Sequence, residues 1–363
     1  MSFDDILLNI ISRLDGERYK HAAFHLMKGK RSGQTLQDTE YYGLHPFFGM
    51  LPSLHAMDFD RAYRSLLDSG FIEEKEDRSV FLTPSGRGRA SEMSPTRLNG
   101  WAYRGMEKVF FARLALTVQT VSHLSAGDKT FMPVSADPAV QRDVRRLFTS
   151  VLKGIKPKDI AFEIRSSLET TGMEEARLAR LVARLTGKGM SGMTWRQLSE
   201  VTGMTEMDLK VECVESLHIW LDTIFAHPSP LLSELAKGVR TSSPLTGSAE
   251  KTAELYRAGM TMPEIATRRN LRMSTIEDHF VEIAINDSDF PLHHFAADEE
   301  VKAVRQEADR LSTRKLSVLK KAFPELSYFQ LRLILARLGK EGNESERDDS
   351  ARPDRPAQTG NRI

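Results

Sequence analysis

The sequence predicts a mainly α-helical protein made of several small domains, with an N-terminal winged helix and a C-terminal helix-turn-helix domain. Apolar residues recur at three- and four-residue spacing along most of the chain, as in Leu178, Leu181 and Leu185, which is the helix period. Strand-like alternation is scarce, and its clearest example is 71–83. Short helical segments separated by tight turns begin with capping residues, an order typical of helix-turn-helix units.

Length and composition restrict the classes of function. The chain has 363 residues, enough for two or three domains, and 40% of them are hydrophobic. Its formal net charge is +1, so any contact with nucleic acid must come from local basic clusters. A single cysteine, Cys213, excludes an intramolecular disulfide framework. No window approaches the roughly 18 apolar residues of a membrane span, and the start is unlike a signal peptide, so we expect a cytoplasmic location and no membrane partner.

Breaks in composition predict the domain organisation. The stretch 125–138 separates two helical runs, and 238–247, GVRTSSPLTG, has the composition of a linker. The polar end of the chain has almost nothing to bury, which is typical of disorder. We therefore expect a winged-helix-like domain at 1–95, a helical domain with a second helix-turn-helix-like unit at 96–240, a helix-turn-helix domain at 246–340 and a disordered tail at 341–363.

The strongest motif lies at 248–286 and begins with two short helices. Ser248 is expected to cap the first of them, and Gly259 is expected to end it. Thr261 and Glu264 have the T-x-x-E spacing of a capping box, which predicts the start of the second helix.

A tight turn and a third helix complete this motif. Asn270 follows the second helix, where the turn needs a left-handed residue, a conformation that asparagine tolerates. Ser274 and Glu277 predict another capping box, opening a third helix that runs to about Ile285. Two short helices, a tight turn and a capped third helix form the helix-turn-helix signature.

The third helix of a DNA-binding unit enters the major groove by its N-terminal residues. Here its exposed side chains are expected to be Thr275, Asp278, His279 and Glu282. The candidate DNA contacts of this motif are Arg268, Arg269 and Arg272 at the turn, for phosphates, and Ser274, Thr275 and His279 on the helix. Glu277, Asp278 and Glu282 would repel phosphate, so a purely structural or protein-docking unit remains the alternative.

A weaker repeat of this pattern lies at 194–220. Thr194 and Gln197 predict one capping box, and Thr205 and Asp208 cap the next helix. The second helix is acidic, so it is a poor reader of a DNA groove. We interpret the segment as a structural pair of helices.

The N-terminal region has the element order of a winged helix. Helices are expected at about 18–29 and at 58–69, followed by a hairpin at 71–83 and then by TPSGRGRA. Basic side chains in this region are candidates for phosphate contact, with ordinary solvated charges as the alternative. These candidates are Lys28, Lys30, Arg31, Arg61, Arg64, Arg87 and Arg89.

Two segments resemble a known family. The stretch MKGKRSGQTLQDTEYYGLHPFFGMLPSL (27–54) resembles the N-terminal signature of the YpbB-like proteins of Bacillus-type bacteria. The segment 248–338 resembles the helicase helix-turn-helix domain that closes those proteins and some RecQ-type DNA helicases. The resemblance implies an intracellular bacterial protein, encoded in many genomes beside a RecQ-type helicase, with a helicase-accessory or DNA-binding role. It transfers no role to the residues that match the N-terminal run, namely Gly29, Lys30, Arg31, Gln34, Thr35, Gln37 and Asp38.

The sequence does not contain a recognisable catalytic motif. It has no G-x-x-x-x-G-K-[ST] phosphate loop, so a helicase motor would have to be another chain. His293 and His294 lie near Asp287 and Asp289 without the spacing of a metal site. We therefore expect no enzymatic activity, no cofactor and no metal. The favoured function is a DNA-binding accessory protein acting with a RecQ-type helicase on duplex or forked DNA. The alternatives are a protein-interaction adaptor without DNA contact and a transcriptional regulator.

Overall fold

The computed structural model describes residues 1–241, 243, 245–287 and 289–337. Helices dominate these residues, which confirms the mainly helical prediction. The chain forms two compact units: unit 1 comprises Met1–Lys30 and His45–Pro244, and unit 2 comprises Arg31–Leu44 and Leu245–Ile363. The tail predicted at 341–363 lies outside the described residues.

The first elements of the chain are helices followed by one hairpin. They are α1 (Phe3–Leu14), α2 (Lys20–Met27), α3 (Gly33–Tyr41), α4 (Ala56–Asp68), β1 (Ile72–Glu74), β2 (Val80–Leu82) and α5 (Pro84–Ser91). All of them except α3 belong to unit 1. The amphipathic α1 packs on α4, α5 and β2 with its apolar face.

The hairpin lies where the sequence predicts it. β1 and β2 pair antiparallel, with Ile72 opposite Leu82. Arg78 adopts a left-handed backbone, φ 65°, in the polar turn between them. Tyr19, between α1 and α2, forms an antiparallel bridge with Ser79. Without α3, which belongs to unit 2, the elements follow the order helix, bridge, helix, helix and hairpin, which is typical of a winged helix; the winged-helix assignment stays a prediction.

The rest of unit 1 is helical. Its elements are α6 (Gly100–Tyr103), α7 (Glu107–Ser125), α8 (Pro138–Thr149), α9 (Pro157–Thr170), α10 (Glu175–Val182), α11 (Trp195–Thr202), α12 (Glu206–Ala226) and α13 (Pro230–Leu235). The long α12 is the centre of this part and packs against α7, α9, α10, α11 and α13. Its Trp220 and Leu221 are buried in one core with Phe110 of α7. Unit 1 contains most of both predicted domains, without residues 31–44, and the boundary between 95 and 96 stays a prediction.

The predicted structural pair of helices begins as expected. The Thr194 hydroxyl accepts a hydrogen bond from the backbone N–H of Gln197 at 3.2 Å, at the start of α11. The Thr205 hydroxyl accepts one from the backbone N–H of Asp208 at 3.1 Å, at the start of α12. Both caps satisfy N–H groups that have no partner within the helix.

Unit 2 contains α3 and the C-terminal helices. These are α14 (Gly247–Arg257), α15 (Met262–Arg269), α16 (Met273–Asn286), α17 (Asp298–Arg310), α18 (Leu316–Ala322) and α19, which covers 328–337 in the described part of the chain. The α14–α16 segment has the three helices predicted for 248–286.

Two of the predicted helix starts in unit 2 are wrong by two residues each. Thr246, not Ser248, caps α14, because its side chain accepts a hydrogen bond from the backbone N–H of Ala249 at 3.1 Å. Arg272 occupies the N-cap position of α16, so Ser274 lies inside the helix and forms no capping box with Glu277. Near a chain turn several residues can cap, and tertiary packing decides which one does.

The second helix and its turn agree with the prediction. The Glu264 carboxylate accepts a hydrogen bond from the backbone N–H of Thr261 at 2.8 Å, which confirms the capping box of α15. Asn270 has a left-handed backbone, φ 51°, and ends α15 as predicted. The turn to α16 is therefore set by local sequence.

Candidate nucleic-acid interface

Helix α16 is the central helix of unit 2. It packs against α14, α15 and α3, and Leu333 of α19 joins its core. Phe280 is fully buried, with its ring 4.7 Å from the ring of Tyr256 and 5.7 Å from that of Phe295. Ile276 and the residues after Phe280 as far as Ile285 are also largely covered. The N-terminal turn of α16 is left with exposed side chains, and the Asp278 side chain in the next turn is 46% exposed.

That turn forms the candidate interface, which we call the turn surface. It consists of Arg268 at the end of α15 and of Arg272, Ser274 and Thr275 at the start of α16. Arg268, Arg272 and Ser274 are exposed, and Thr275 is half-buried. Neither arginine forms an ion pair with another residue in the described part of the chain. The structure thus brings four of the six predicted contacts of this motif together, next to a helix N-terminus.

Arg269 faces the interior of the unit instead. Its guanidinium donates hydrogen bonds to the Ser248 carbonyl oxygen at 2.6 Å and to the Ser248 hydroxyl at 3.0 Å. It also donates to the hydroxyl of Thr252. These bonds join α15 to α14, so the geometry gives Arg269 a structural role.

His279 and Glu282 were expected to be exposed, and this expectation is wrong. His279 is 7% exposed, and its Nδ1 atom lies 2.9 Å from the Thr252 hydroxyl oxygen. The Glu282 carboxylate is also buried and accepts hydrogen bonds from the backbone N–H and the hydroxyl of Thr246. Both side chains meet α14 or the residue that caps it, because α14 covers this face of α16.

The environment of His279 predicts that the stability of unit 2 depends on pH. Burial and the charge of Arg269 lower the pKa of His279 below its usual 6.5. As the pH falls, the unfolded chain takes up a proton at a pH where the folded unit does not. The stability contributed by neutral His279 is therefore complete above the unfolded pKa and decreases as the pH falls towards the lowered folded value.

This dependence can be measured by hydrogen exchange in α14–α16 between about pH 7.5 and about pH 5, corrected for intrinsic exchange rates. The free energy of opening should decrease as the pH falls over this range. In His279→Gln it should decrease less, because glutamine does not titrate. Equal decreases in the two proteins would contradict the prediction.

The acidic side chains near the turn surface are largely neutralised. Asp278 pairs with Arg332 of α19, with 2.5 Å between Oδ1 and a guanidinium nitrogen. The Glu282 carboxylate accepts hydrogen bonds from Thr246, the residue that caps α14. Of the three acidic residues that would repel phosphate, only Glu277 has no partner in the described part of the chain.

The N-terminal candidates fall into different environments. Lys28 donates to the Leu54 carbonyl oxygen at 3.0 Å, so its charge is held against unit 1. Lys30 is exposed and lies 3.5 Å from the His25 ring nitrogen. Arg31 is exposed and belongs to unit 2. Of these three, Lys30 and Arg31 present more of their charge to solvent.

Helix α4 carries two of the other candidates. Arg61 and Arg64 are exposed on it, and Arg61 lies 3.8 Å from Asp58 in the preceding turn. Beyond the hairpin, Arg87 pairs with Asp15, and Arg89 pairs with Asp5 at 2.8 Å. Arg61 and Arg64 therefore remain available to a ligand, whereas Arg87 and Arg89 hold α5 to α1.

Other site chemistries find no support in the described part of the chain. No group of three histidine, cysteine, aspartate or glutamate side chains there is arranged to hold a metal ion. None of the described helices combines the length and the apolar character needed to cross a bilayer.

Comparison with known proteins supports the C-terminal motif. A family profile described as a helix-turn-helix domain matches residues 248–335. The protein YpbB of Bacillus subtilis (strain 168) is 28% identical over 343 residues, which cover 92% of this chain and 97% of that protein. The chain is thus similar to YpbB over nearly its whole length. The resemblance predicted from the sequence is thus confirmed, and a helix-turn-helix domain suggests DNA binding. No solved structure matches the chain significantly. The helicase association stays a prediction.

Sequence reasoning missed the most basic helical pair of the chain. Residues 138–165, which form α8 and most of α9, carry seven basic and three acidic side chains. Residues 262–286, which form α15 and α16, carry three basic and four acidic ones. Counting charges in windows of this length would have found the first segment, whereas a search for helix-turn-helix signatures does not.

Proposed function

We propose that the protein binds DNA through the turn surface of unit 2. Arg268 and Arg272 supply phosphate contacts on either side of the turn, and Ser274 and Thr275 face the groove at the N-terminal end of α16. The observation that supports this most is the helix-turn-helix match to 248–335 together with an exposed N-terminal turn on the third helix.

The charges around the turn surface favour DNA binding over a role as an adaptor that does not contact DNA. The adaptor alternative rested on the acidic residues of α16. The Arg332 guanidinium neutralises Asp278, and Glu282 is buried against Thr246, so neither carboxylate is directed at a ligand on the turn surface. Glu277 alone is left to oppose the charges of the two arginines.

Two arginines give only weak electrostatic binding, since each phosphate contact releases about one counterion. We assign additional phosphate contacts to the exposed cations near the N-terminus, namely Lys30, Arg31, Arg61 and Arg64, with a smaller part for Lys28. Duplex and forked DNA are the proposed ligands. Action beside a RecQ-type helicase, in the cytoplasm and without a catalytic step of its own, extends this proposal and rests on the family resemblance.

The double variant Arg268→Ala/Arg272→Ala tests the proposal. Loss of two phosphate contacts should lower duplex affinity about 10-fold at low salt and reduce the slope of log K against log salt by about 2, whatever the DNA sequence. Fluorescence anisotropy of a labelled duplex over a salt series measures both quantities.

A matched control is Arg310→Ala, which removes an exposed arginine of the same unit that pairs with Glu307 at the end of α17. It should bind duplex DNA like the wild type. If the double variant has wild-type affinity and salt dependence, the turn surface does not contact DNA, and the adaptor alternative gains support.

A further inference from the structure

The segment 138–165 of unit 1, which contains α8, residues 150–156 and most of α9, carries a strong excess of exposed positive charge. Six of its cations are exposed and have no acidic partner in the described part of the chain: Arg142, Arg145, Lys153, Lys156, Lys158 and Arg165. This is a larger unpaired positive charge than that of the turn surface. We call it the α8–α9 surface.

The acidic residues of this segment do little to offset that charge. Asp143 pairs with Arg113 at 2.6 Å and with Arg146 at 2.8 Å. The Glu163 carboxylate accepts hydrogen bonds from the backbone N–H groups of Leu231 and Leu232 at 2.9 and 3.1 Å. Asp159 is thus the one acidic residue of the segment without a described partner.

The core fixes the two helices beneath these cations. Val140 and Val144 of α8 are buried against Leu116 of α7. Ile160 of α9 is buried in the core that contains Trp220. Because the inner faces are anchored, the cations of the two helices are held on a rigid support, whereas Lys153 and Lys156 lie in the connection between the helices.

An exposed aromatic side chain lies among the cations. Phe162 of α9 is 72% exposed. Lys158 precedes it by four residues and Arg165 follows it by three, so all three share one face of the helix. A single exposed apolar residue means little by itself. An aromatic ring between two cations, however, is the arrangement with which proteins bind single strands, since the ring stacks on a base while the cations contact phosphates.

We propose that the α8–α9 surface binds a single strand of DNA, independently of the turn surface. Phe162 stacks on an unpaired base, and Lys158 and Arg165 contact phosphates on either side. These two residues are seven positions apart, or about 10 Å along the helix axis, close to the length of three stacked nucleotides. The lysines at 153 and 156 and the arginines of α8 extend the phosphate track. An acidic protein would also fit the charge, but it would not require an exposed ring at this position.

The test uses the full-length protein and a labelled oligo-dT of about 20 nucleotides beside a duplex of the same length. The triple variant Lys153→Ala/Lys156→Ala/Lys158→Ala should bind the single strand at least about 10-fold more weakly, with a salt slope reduced by about 2, because three contacts at about 0.7 counterions each are lost. The charge-matched control is Lys108→Ala/Lys210→Ala/Lys237→Ala in the same unit, which should keep wild-type affinity.

The role of the ring is tested separately. Phe162→Ala should weaken single-strand binding about 5-fold or more with an unchanged salt slope, since it removes stacking and not charge. Phe162→Trp should restore binding. Duplex affinity should not change in either variant, because the bases of a duplex are already stacked on one another.

Each outcome decides the proposal. If the wild type does not bind oligo-dT, the proposal is overturned, and an acidic protein becomes the favoured partner. If the lysine triple variant and its control bind oligo-dT equally well, the proposal is also overturned. An equal loss of duplex and single-strand binding in Phe162→Ala would also reject it. Duplex binding that fails only in Arg268→Ala/Arg272→Ala concerns the turn surface and leaves this proposal standing.

Discussion

Replacing Phe280 by alanine should lower the free energy of unfolding of unit 2 by about 3–5 kcal/mol, the range for truncating a fully buried aromatic ring. The ring is 0% exposed and packs between Tyr256 and Phe295 under the helix that carries the turn surface. A cavity there removes the support of Arg272 and Ser274, so duplex binding should be lost together with the fold.

The two units can be monitored separately. The three tryptophans, Trp101, Trp195 and Trp220, all belong to unit 1. Tryptophan fluorescence therefore reports unit 1, and amide hydrogen exchange in α14–α16 reports unit 2. In Phe280→Ala, exchange should accelerate in unit 2 while the fluorescence transition remains in place.

Met273→Ala is the matched control on the same helix, because Met273 is 40% exposed in its first turn. Met273→Ala should change the free energy of unfolding of unit 2 by no more than about 0.5–1 kcal/mol. Wild-type exchange in Phe280→Ala would mean that α16 is not the central helix of this unit.

Local sequence rules predicted the helix-turn-helix segment well. The Thr261–Glu264 box and the left-handed Asn270 involve residues at most three positions apart, so their energetics are contained in the sequence itself. The errors at Ser248 and Ser274 concern which of several polar residues caps a helix. That choice depends on where packing stops the helix.

The sequence could not show which candidate side chains face solvent and which face the interior of the unit. Arg268 and Arg269 are neighbours, yet one is exposed and the other bonds to Ser248 and Thr252, which are 21 and 17 residues away. The pairing that neutralises Asp278 uses an arginine 54 residues away. Contacts at such separations depend on how helices pack, for which a single sequence gives no signal.

The position of α3 is the clearest example of this limit. Its polar sequence is typical of a surface helix, yet Gln37 is 1% and Thr39 is 0% exposed in unit 2. The Gln37 side-chain carbonyl accepts from Arg332 at 3.3 Å, and the Tyr41 hydroxyl donates to the Arg332 carbonyl oxygen at 3.0 Å. The middle of the stretch 27–54, residues 31–44, is therefore part of the unit that contains the helix-turn-helix segment.

Replacing His218 by alanine should destabilise unit 1 by about 3 kcal/mol or more, because it deletes a fully buried ring and leaves a buried N–H without an acceptor, which alone costs about 1–3 kcal/mol. His218 is 0% exposed, and its Nδ1 atom accepts a hydrogen bond from the backbone N–H of Asn99 at 2.9 Å. The ring proton is therefore on Nε2, which faces the buried Glu107 carboxylate at 3.4 Å. Without the ring, the Asn99 N–H loses its hydrogen-bond acceptor, and the Glu107 carboxylate loses the ring nitrogen that lies 3.4 Å from it. Denaturant unfolding followed by tryptophan fluorescence measures the loss.

The neighbouring group provides the control. If the cost comes from the unpaired carboxylate, His218→Ala/Glu107→Gln should be less destabilising than the sum of the two single variants, because the residues form one coupled pair. Additive effects would contradict the pairing.

Glu107 lies on α7 and His218 on α12, and α9 packs on both helices. A ligand that binds only folded unit 1 stabilises it by mass action. Oligo-dT should therefore raise the denaturation midpoint of His218→Ala, as followed by tryptophan fluorescence, and leave hydrogen exchange in unit 2 of Phe280→Ala unchanged.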